Sequence, residues 1–115
     1  MQKLTHQITI TPVSQPLDEI SGRRLFGTTR RNLDRGARFQ AFDLRAMQRI
    51  DSPTLAALIR SLRTVREVGG TIGLIVNQPN IRKVFSITGL DRVFPVYSNE
   101  SELLSAMEQR EIISA

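Results

Sequence analysis

An amphipathic helix followed at once by an apolar strand constrains the fold of this 115-residue chain more than any other feature. Pro53–Val68 has an apolar stripe at helical spacing, with arginines off the stripe. The stripe consists of Leu55, Leu58, Ile59, Leu62 and Val65. Gly69 and Gly70 end the helix, and Thr71–Val76 is a continuous apolar run, typical of a strand covered on both faces. The pair predicts a sheet with this helix packed against it.

The rest of the chain repeats this alternation of strand and helix. Other strands are predicted at Gln7–Val13, which contains a proline and so lies near a sheet edge, at Arg38–Leu44 and at Val93–Tyr97. Other helices are predicted from Asp18, as N-cap, to about Leu33, from Asn77–Pro79 to Gly89, and after the capping pair Asn99 and Glu102. We therefore expect an α/β fold with a small mixed, largely parallel sheet of about four strands and helices mainly on one face.

The length fits a single domain spanning residues 1–115, and we expect residues 1–7 and 110–115 to be mobile at its ends. The sequence has no stretch of about 18 apolar residues, the length that a membrane-spanning helix needs. Its first residues do not show the pattern of a secretory signal. The chain has no cysteine, which is consistent with the cytoplasm.

The basic charge is concentrated in arginines of the first two thirds of the chain. The formal net charge is +5, from 16 basic and 11 acidic residues. Such clusters can bind phosphate backbones, but the chain has one tyrosine, no tryptophan and no recognition motif for nucleic acid. A solvated helix face is the simpler explanation, and attraction to an acidic protein partner stays open.

Residues for catalysis are scarce. The single histidine, His6, and the absence of cysteine leave no material for a transition-metal site or a nucleophilic triad. Gly69 and Gly70 follow a helix, which is the reverse of the order in a phosphate-binding loop. Asp43 and Asp51 could pair as acid and base, although the commoner explanation is a strand-end carboxylate and a loop carboxylate. We expect no enzymatic activity, no metal and no cofactor.

Three blocks of the sequence stand out: Ile50–Leu55, Gly69–Leu74 and Ile81–Phe94. Together they resemble the STAS domain, the family that includes the bacterial anti-sigma factor antagonists. Family members typically carry Asp-Ser-(Ser/Thr)-Gly-Leu, then a helix, Gly-Gly and an apolar strand, and finally a helix ending in Thr-Gly-Leu. The three blocks correspond to these motifs in the same order. Leu17 and Asp18 match the end of a family turn, and Ser21 falls where members often have a serine. The likeness runs from about Leu17 to Met107.

This resemblance implies regulation by partner switching. An unphosphorylated antagonist binds an anti-sigma factor that is also a serine kinase, the kinase phosphorylates the serine after the motif aspartate, and a phosphatase resets the cycle. The resemblance implies Ser52 as the phosphoacceptor, with Asp18 and Asp51 on the same surface. The sequence also predicts that Ser52 is the N-cap of the helix, beside free backbone N–H groups and the positive end of its dipole.

Two departures from the family motif keep other functions open. Pro53 replaces the second Ser/Thr and removes a backbone N–H, while Thr54 replaces the glycine and is itself a possible second acceptor. The segment before Leu17 is short, so the first strand of the family is expected to be absent or truncated. The alternatives are a STAS subunit that docks on a transporter ATPase or a signalling scaffold without cycling phosphate, and an arginine-driven nucleic-acid binder.

Overall fold

The computed structural model describes residues 3–5, 8–14 and 17–114 of the chain. It contains five strands and four α-helices, with a short 3-10 turn at Leu90–Arg92. The strands are β1 (Lys3–Thr5), β2 (Ile8–Pro12), β3 (Phe39–Asp43), β4 (Thr71–Ile75) and β5 (Val96–Tyr97). The helices are α1 (Glu19–Asp34), α2 (Ser52–Arg66), α3 (Pro79–Thr88) and α4 (Glu100–Ser114).

The strands form one mixed sheet in the order β1-β2-β3-β4-β5. Strands β2 to β5 are parallel, and β1 pairs antiparallel with β2. The four parallel strands, β2 to β5, confirm the prediction of a small, largely parallel sheet, and the three residues of β1 add a short antiparallel edge to it. Pro12 is tolerated beside β3 because it is the last residue of its strand.

Helices α1, α2 and α3 cover one face of the sheet, which confirms the prediction that the helices lie mainly on one side. Leu58, Leu62 and Val65 are buried against strand residues such as Phe42 and Ile72. Leu55 and Ile59 lie at the margin of this core and are partly buried. The apolar stripe of α2 therefore packs against the sheet, as its spacing predicted.

Helix α4 packs alone on the opposite face. Leu103 and Met107 contact a second cluster that includes Ile8, Phe39 and Ile75. Gly73 of β4 lies under this helix, where an added Cβ would come within 3.0 Å of Met107 Sδ. The expectation of mobile ends falls partly on residues 1–2, 6–7 and 115, including His6, which lie outside the described residues; residues 110–114 continue α4.

Candidate functional site

The carboxyl ends of the parallel strands gather three loops at one edge of the sheet. The loops after β2, β3 and β4 lead into the first turns of α1, α2 and α3, so the three helices begin at this same edge. Polar groups at such an edge are not used by the sheet and are free for binding. All six residues that the sequence singled out follow β2 or β3.

Helix α2 is capped by Asp51 and not, as the sequence predicted, by Ser52. Asp51 has an extended backbone (φ −119°, ψ 174°), and its carboxylate Oδ1 accepts from Thr54 N at 3.0 Å. Ser52 is therefore the first helical residue and Pro53 the second. The prediction failed because Asp and Ser cap helices about equally well, so two adjacent candidates could not be separated from the sequence.

Thr54 joins the two loops of the site. Its hydroxyl donates to Asp51 Oδ1 at 2.6 Å and accepts from the backbone N–H of Leu17 at 2.9 Å, across 37 residues of chain. The side chain is 0% exposed. Thr54 thus fixes the entry to α1 against the first turn of α2, and its hydroxyl faces inward.

Ser52 and Pro53 lie on the surface of the same turn. Among the described residues, the Ser52 hydroxyl has no hydrogen-bond partner, and the first turn of α2 contains no acidic residue. A group attached to Ser52 Oγ would therefore project into solvent near the positive end of the helix.

Asp18 caps α1 as the sequence predicted. Its Oδ1 accepts from Ser21 N at 2.7 Å, and the side chain is exposed. Asp18 and Pro53 line one groove between α1 and α2, so the structure brings the two helix starts together. Ser21 is half-buried and does not line this groove.

Both capping carboxylates are held in the charged form. The hydroxyl of Thr54, followed by its backbone N–H, lowers the pKa of Asp51 below the usual 3.8. The backbone N–H of Ser21, followed by its hydroxyl, lowers the pKa of Asp18 in the same way. Hydrogen bonds donated to a carboxylate favour its ionised form. The site therefore presents two negative charges at neutral pH.

Gln78 supports the site from the neighbouring loop, and sequence reasoning missed it. Its side-chain amide donates to the carbonyl oxygens of Leu44 at 2.8 Å and Arg45 at 3.1 Å, and also to that of Met47. Asn80 donates to the carbonyl of Gln48 at 2.8 Å. These bonds hold the loop that ends at Asp51. Each bond joins residues that are more than 30 positions apart in the sequence, so no local pattern could have revealed it.

Within residues 3–5, 8–14 and 17–114, the structure has no group of three or more His, Cys, Asp or Glu side chains that could hold a metal ion. The helices of this part of the chain are all too short or too polar to cross a membrane. Asp43 binds Arg45 through both carboxylate oxygens, at 3.0 and 2.8 Å. Asp43 is thus engaged in an ion pair at its strand end.

Comparison with known families and sequences matches this chain to one domain family. The model of the STAS domain matches residues 2–103. An anti-sigma factor antagonist of Thermotoga neapolitana is 34% identical over 64 residues. That alignment covers 56% of this chain and 57% of the relative, so the match spans little more than half of the relative's length.

Solved structures extend the likeness to the whole fold. TM1081 of Thermotoga maritima, described as an anti-sigma factor antagonist, superposes with a TM-score of 0.83 at 21% identity and covers 94% of this chain and 93% of its own. Unphosphorylated SpoIIAA, also an anti-sigma factor antagonist, has a TM-score of 0.78 at 16% identity, with 95% and 96% covered. Phosphorylated SpoIIAA of Bacillus has a TM-score of 0.71 at 18% identity, with 92% and 96% covered.

Proposed function

This chain belongs to the STAS domain family, and on that premise we propose that it is an anti-sigma factor antagonist whose binding is switched by phosphorylation of Ser52. It acts by binding in the cytoplasm and catalyses no reaction itself. Its partners are an anti-sigma factor serine kinase, which transfers the γ-phosphoryl group of ATP to Ser52 Oγ, and a phosphatase that removes it.

The observation that carries the proposal is the exposed, unpaired hydroxyl of Ser52 beside two capped helix starts. Asp51 and Asp18 already satisfy the backbone N–H groups of Thr54 and Ser21, so Ser52 is not needed as a cap. Phosphorylation adds about 1.5 to 2 negative charges, which a helix N-terminus tolerates. The fold is therefore preserved, and the added charge acts on the partner by repulsion or by the cost of desolvation.

Thr54 is a positioning residue in this proposal and not the acceptor. Its hydroxyl is fully buried and bonded on both sides, to Asp51 and to Leu17. A kinase would have to open the first turn of α2 to reach it. Thr54 serves the partner surface indirectly, by fixing the positions of Asp18, Asp51 and Ser52.

Pro53 favours a second candidate function. It is exposed at the second position of α2, where its ring fixes φ and removes one N–H. A stiff turn is harder for a kinase active site to accommodate. A STAS subunit that docks on a transporter ATPase or signalling scaffold without phosphate cycling would not need a kinase to bind this turn.

Incubation with a purified anti-sigma factor serine kinase of the same genome and ATP, followed by mass spectrometry, tests the proposal. Phosphate is expected on the peptide containing Ser52. Ser52→Ala should keep kinase binding and take no phosphate, whereas Ser52→Asp should weaken binding, though less than phosphate does. Ser105→Ala, a change at an exposed serine on α4, is the matched control and should alter neither.

Pro53→Ser separates the two candidate functions. It restores the Ser/Thr that the family motif has at this position, and it should speed phosphorylation if proline hinders the kinase. Suppose that neither the unmodified protein nor Pro53→Ser takes phosphate on Ser52, and that Ser52→Asp does not change the affinity for the kinase. The function would then be that of a STAS subunit that docks without phosphate cycling.

A further inference from the structure

A groove of about 460 Å³ runs between the outer faces of α1 and α2, beginning at the two helix starts. Asp18 and Pro53 lie at its near end, next to Ser52. Arg23 and Arg60 line it as well, from α1 and α2 respectively. The groove therefore joins the proposed switch to a pair of cations.

The floor of the groove is made of small residues. Gly22 on α1 faces Ala57 on α2, and a Cβ added to Gly22 would lie 3.5 Å from the Ala57 Cβ. Ala56 lines the same groove and is exposed. The two helices approach closely here and leave a shallow apolar strip, which suits an aliphatic side chain.

Arg60 is held in place by an aromatic ring, which leaves its positive charge unneutralised. Its guanidinium carbon lies 4.1 Å from the centre of the Phe26 ring, a cation–π contact across the two helices. Among the described residues, no carboxylate pairs with Arg60. Arg23 does pair with Glu19, at 2.8 Å, but both side chains are more than 70% exposed (73% and 79%). Such a pair contributes little and exchanges easily with a stronger acidic partner.

The charge on the two faces of the sheet has opposite sign. Helices α1 and α2 together contain seven arginines and two acidic residues, Glu19 and Asp34. Helix α4, on the opposite face, contains four glutamates and one arginine. An acidic partner is therefore attracted to the α1–α2 face and repelled from α4.

We propose that this groove binds an acidic segment of the partner protein, with an aliphatic side chain on the Gly22–Ala57 floor and a carboxylate on Arg60. The inference rests on the proposed function and adds the chemistry of the partner. A nucleic acid fits less well, because the residues that line the groove include no aromatic ring on which a base could stack.

An acidic segment in this groove gives the switch a physical basis. Pro53, which lines the groove, directly follows Ser52. A phosphate on Ser52 would place new negative charge at the end of a site that holds a negatively charged segment. Repulsion between the two would release the partner, and high salt would weaken both the attraction and the repulsion.

Binding of the anti-sigma factor kinase to two charge-reversed variants tests the groove. Arg60→Glu should weaken binding by about tenfold or more, since it replaces the cation that faces the carboxylate of the segment with a like charge. Arg63→Glu makes the same charge change at an exposed residue of α2 that does not line the groove, and it should change the affinity by no more than about twofold. Circular dichroism melts establish that both variants are folded.

A second test fills the groove without changing its charge. Ala56→Leu keeps a good helix former at an exposed position and covers the floor. It should also weaken kinase binding. Equal losses for Arg60→Glu and Arg63→Glu, with none for Ala56→Leu, would show diffuse attraction to the arginines and overturn the groove.

A labelled peptide, Glu-Asp-Leu-Glu-Asp, distinguishes failure of the groove from failure of the proposed function. Peptide binding that is lost in Arg60→Glu but kept in Arg63→Glu supports the groove even where the kinase does not bind at all, a result that would count against the proposed function alone. Absence of peptide binding to the unmodified protein, or displacement of the peptide by duplex DNA at lower concentration, would overturn the inference.

Discussion

Thr54 is the residue on which the geometry of the site depends most. Replacement by valine, Thr54→Val, keeps the shape but leaves the backbone N–H of Leu17 without its buried acceptor and removes the hydroxyl that binds Asp51. An unsatisfied buried donor costs about 1–3 kcal/mol. We expect the free energy of unfolding, measured by urea denaturation, to fall by that amount.

Thr64→Val is the matched control, because Thr64 lies on the same helix and bonds only to a carbonyl of its own helix. It should cost less than about 0.5 kcal/mol. Equal losses in the two variants would mean that the Leu17–Thr54–Asp51 link does not hold the two loops together.

Asp51 gives the site a pH dependence whose sign follows from its hydrogen bonds. Its pKa in the folded protein is lowered, chiefly by the Thr54 hydroxyl, so the unfolded chain binds the proton more readily. The stability that this carboxylate contributes is present above its ordinary pKa of 3.8 and is lost as the pH falls through the lower folded value. Urea denaturation between about pH 5 and pH 2 should show a smaller loss in Asp51→Asn than in the unmodified protein. An identical loss would contradict this account.

Residue-scale prediction failed where the signal is tertiary and mostly succeeded where it is local, the exception being the cap of α2, which is Asp51 and not Ser52. Asp18 was predicted as a cap because the acceptor and the N–H that it binds lie three residues apart. The structural role of Thr54 could not be predicted, since its hydroxyl accepts a hydrogen bond from Leu17, which lies 37 residues away in the sequence. The same holds for Gln78 and for the contact between Arg60 and Phe26, which join separate elements.

At the scale of elements, α2 is the helix that joins the site to the core. Its first turn carries Asp51 and Ser52, while Leu58 in its middle is 0% exposed. Leu58→Ala should lower the free energy of unfolding by about 2–5 kcal/mol, because it removes buried methyl groups and leaves a cavity. Ile59→Ala, at a partly buried position, should cost clearly less. A loss below about 0.5 kcal/mol for Leu58→Ala in urea denaturation would show that this face of α2 is not packed.

The end of α2 shows how a correct prediction can rest on an incomplete reason. The sequence predicted Gly69 and Gly70 as a helix stop, and α2 does end just before them, with Gly69 at a φ of +80°. Gly70 is required for a different purpose: an added Cβ would lie 1.9 Å from the carbonyl oxygen of Arg38. That close approach comes from the pairing of β3 with β4. The sequence pattern that predicts the end of a helix carries no information on this pairing.

At the scale of the whole molecule, one sheet separates two apolar clusters, and its strands contribute side chains to both. Since β4 supplies Ile72 to the cluster under α1–α3 and Ile75 to the cluster under α4, neither cluster can be lost while the other keeps its strand. We therefore expect a single unfolding transition, as in most domains of this size. Far-UV circular dichroism follows all four helices of the described residues, and the fluorescence of Tyr97, which packs at the margin of the α4 cluster, follows the α4 face alone. The two signals should give the same midpoint in urea.

The same coupling predicts how substitutions on opposite faces combine. Ile81→Val on α3 and Ile8→Val on β2 each remove one buried methylene and should cost about 0.5–1.5 kcal/mol. The two residues belong to different clusters and share no contact, so the double variant should lose the sum of the two within about 0.5 kcal/mol. Both signals should still shift together in every variant. A fluorescence midpoint that falls in Ile8→Val while the dichroism midpoint stays constant would show that the α4 face unfolds on its own, and the sheet would then not be the cooperative unit that connects the site to the rest of the molecule.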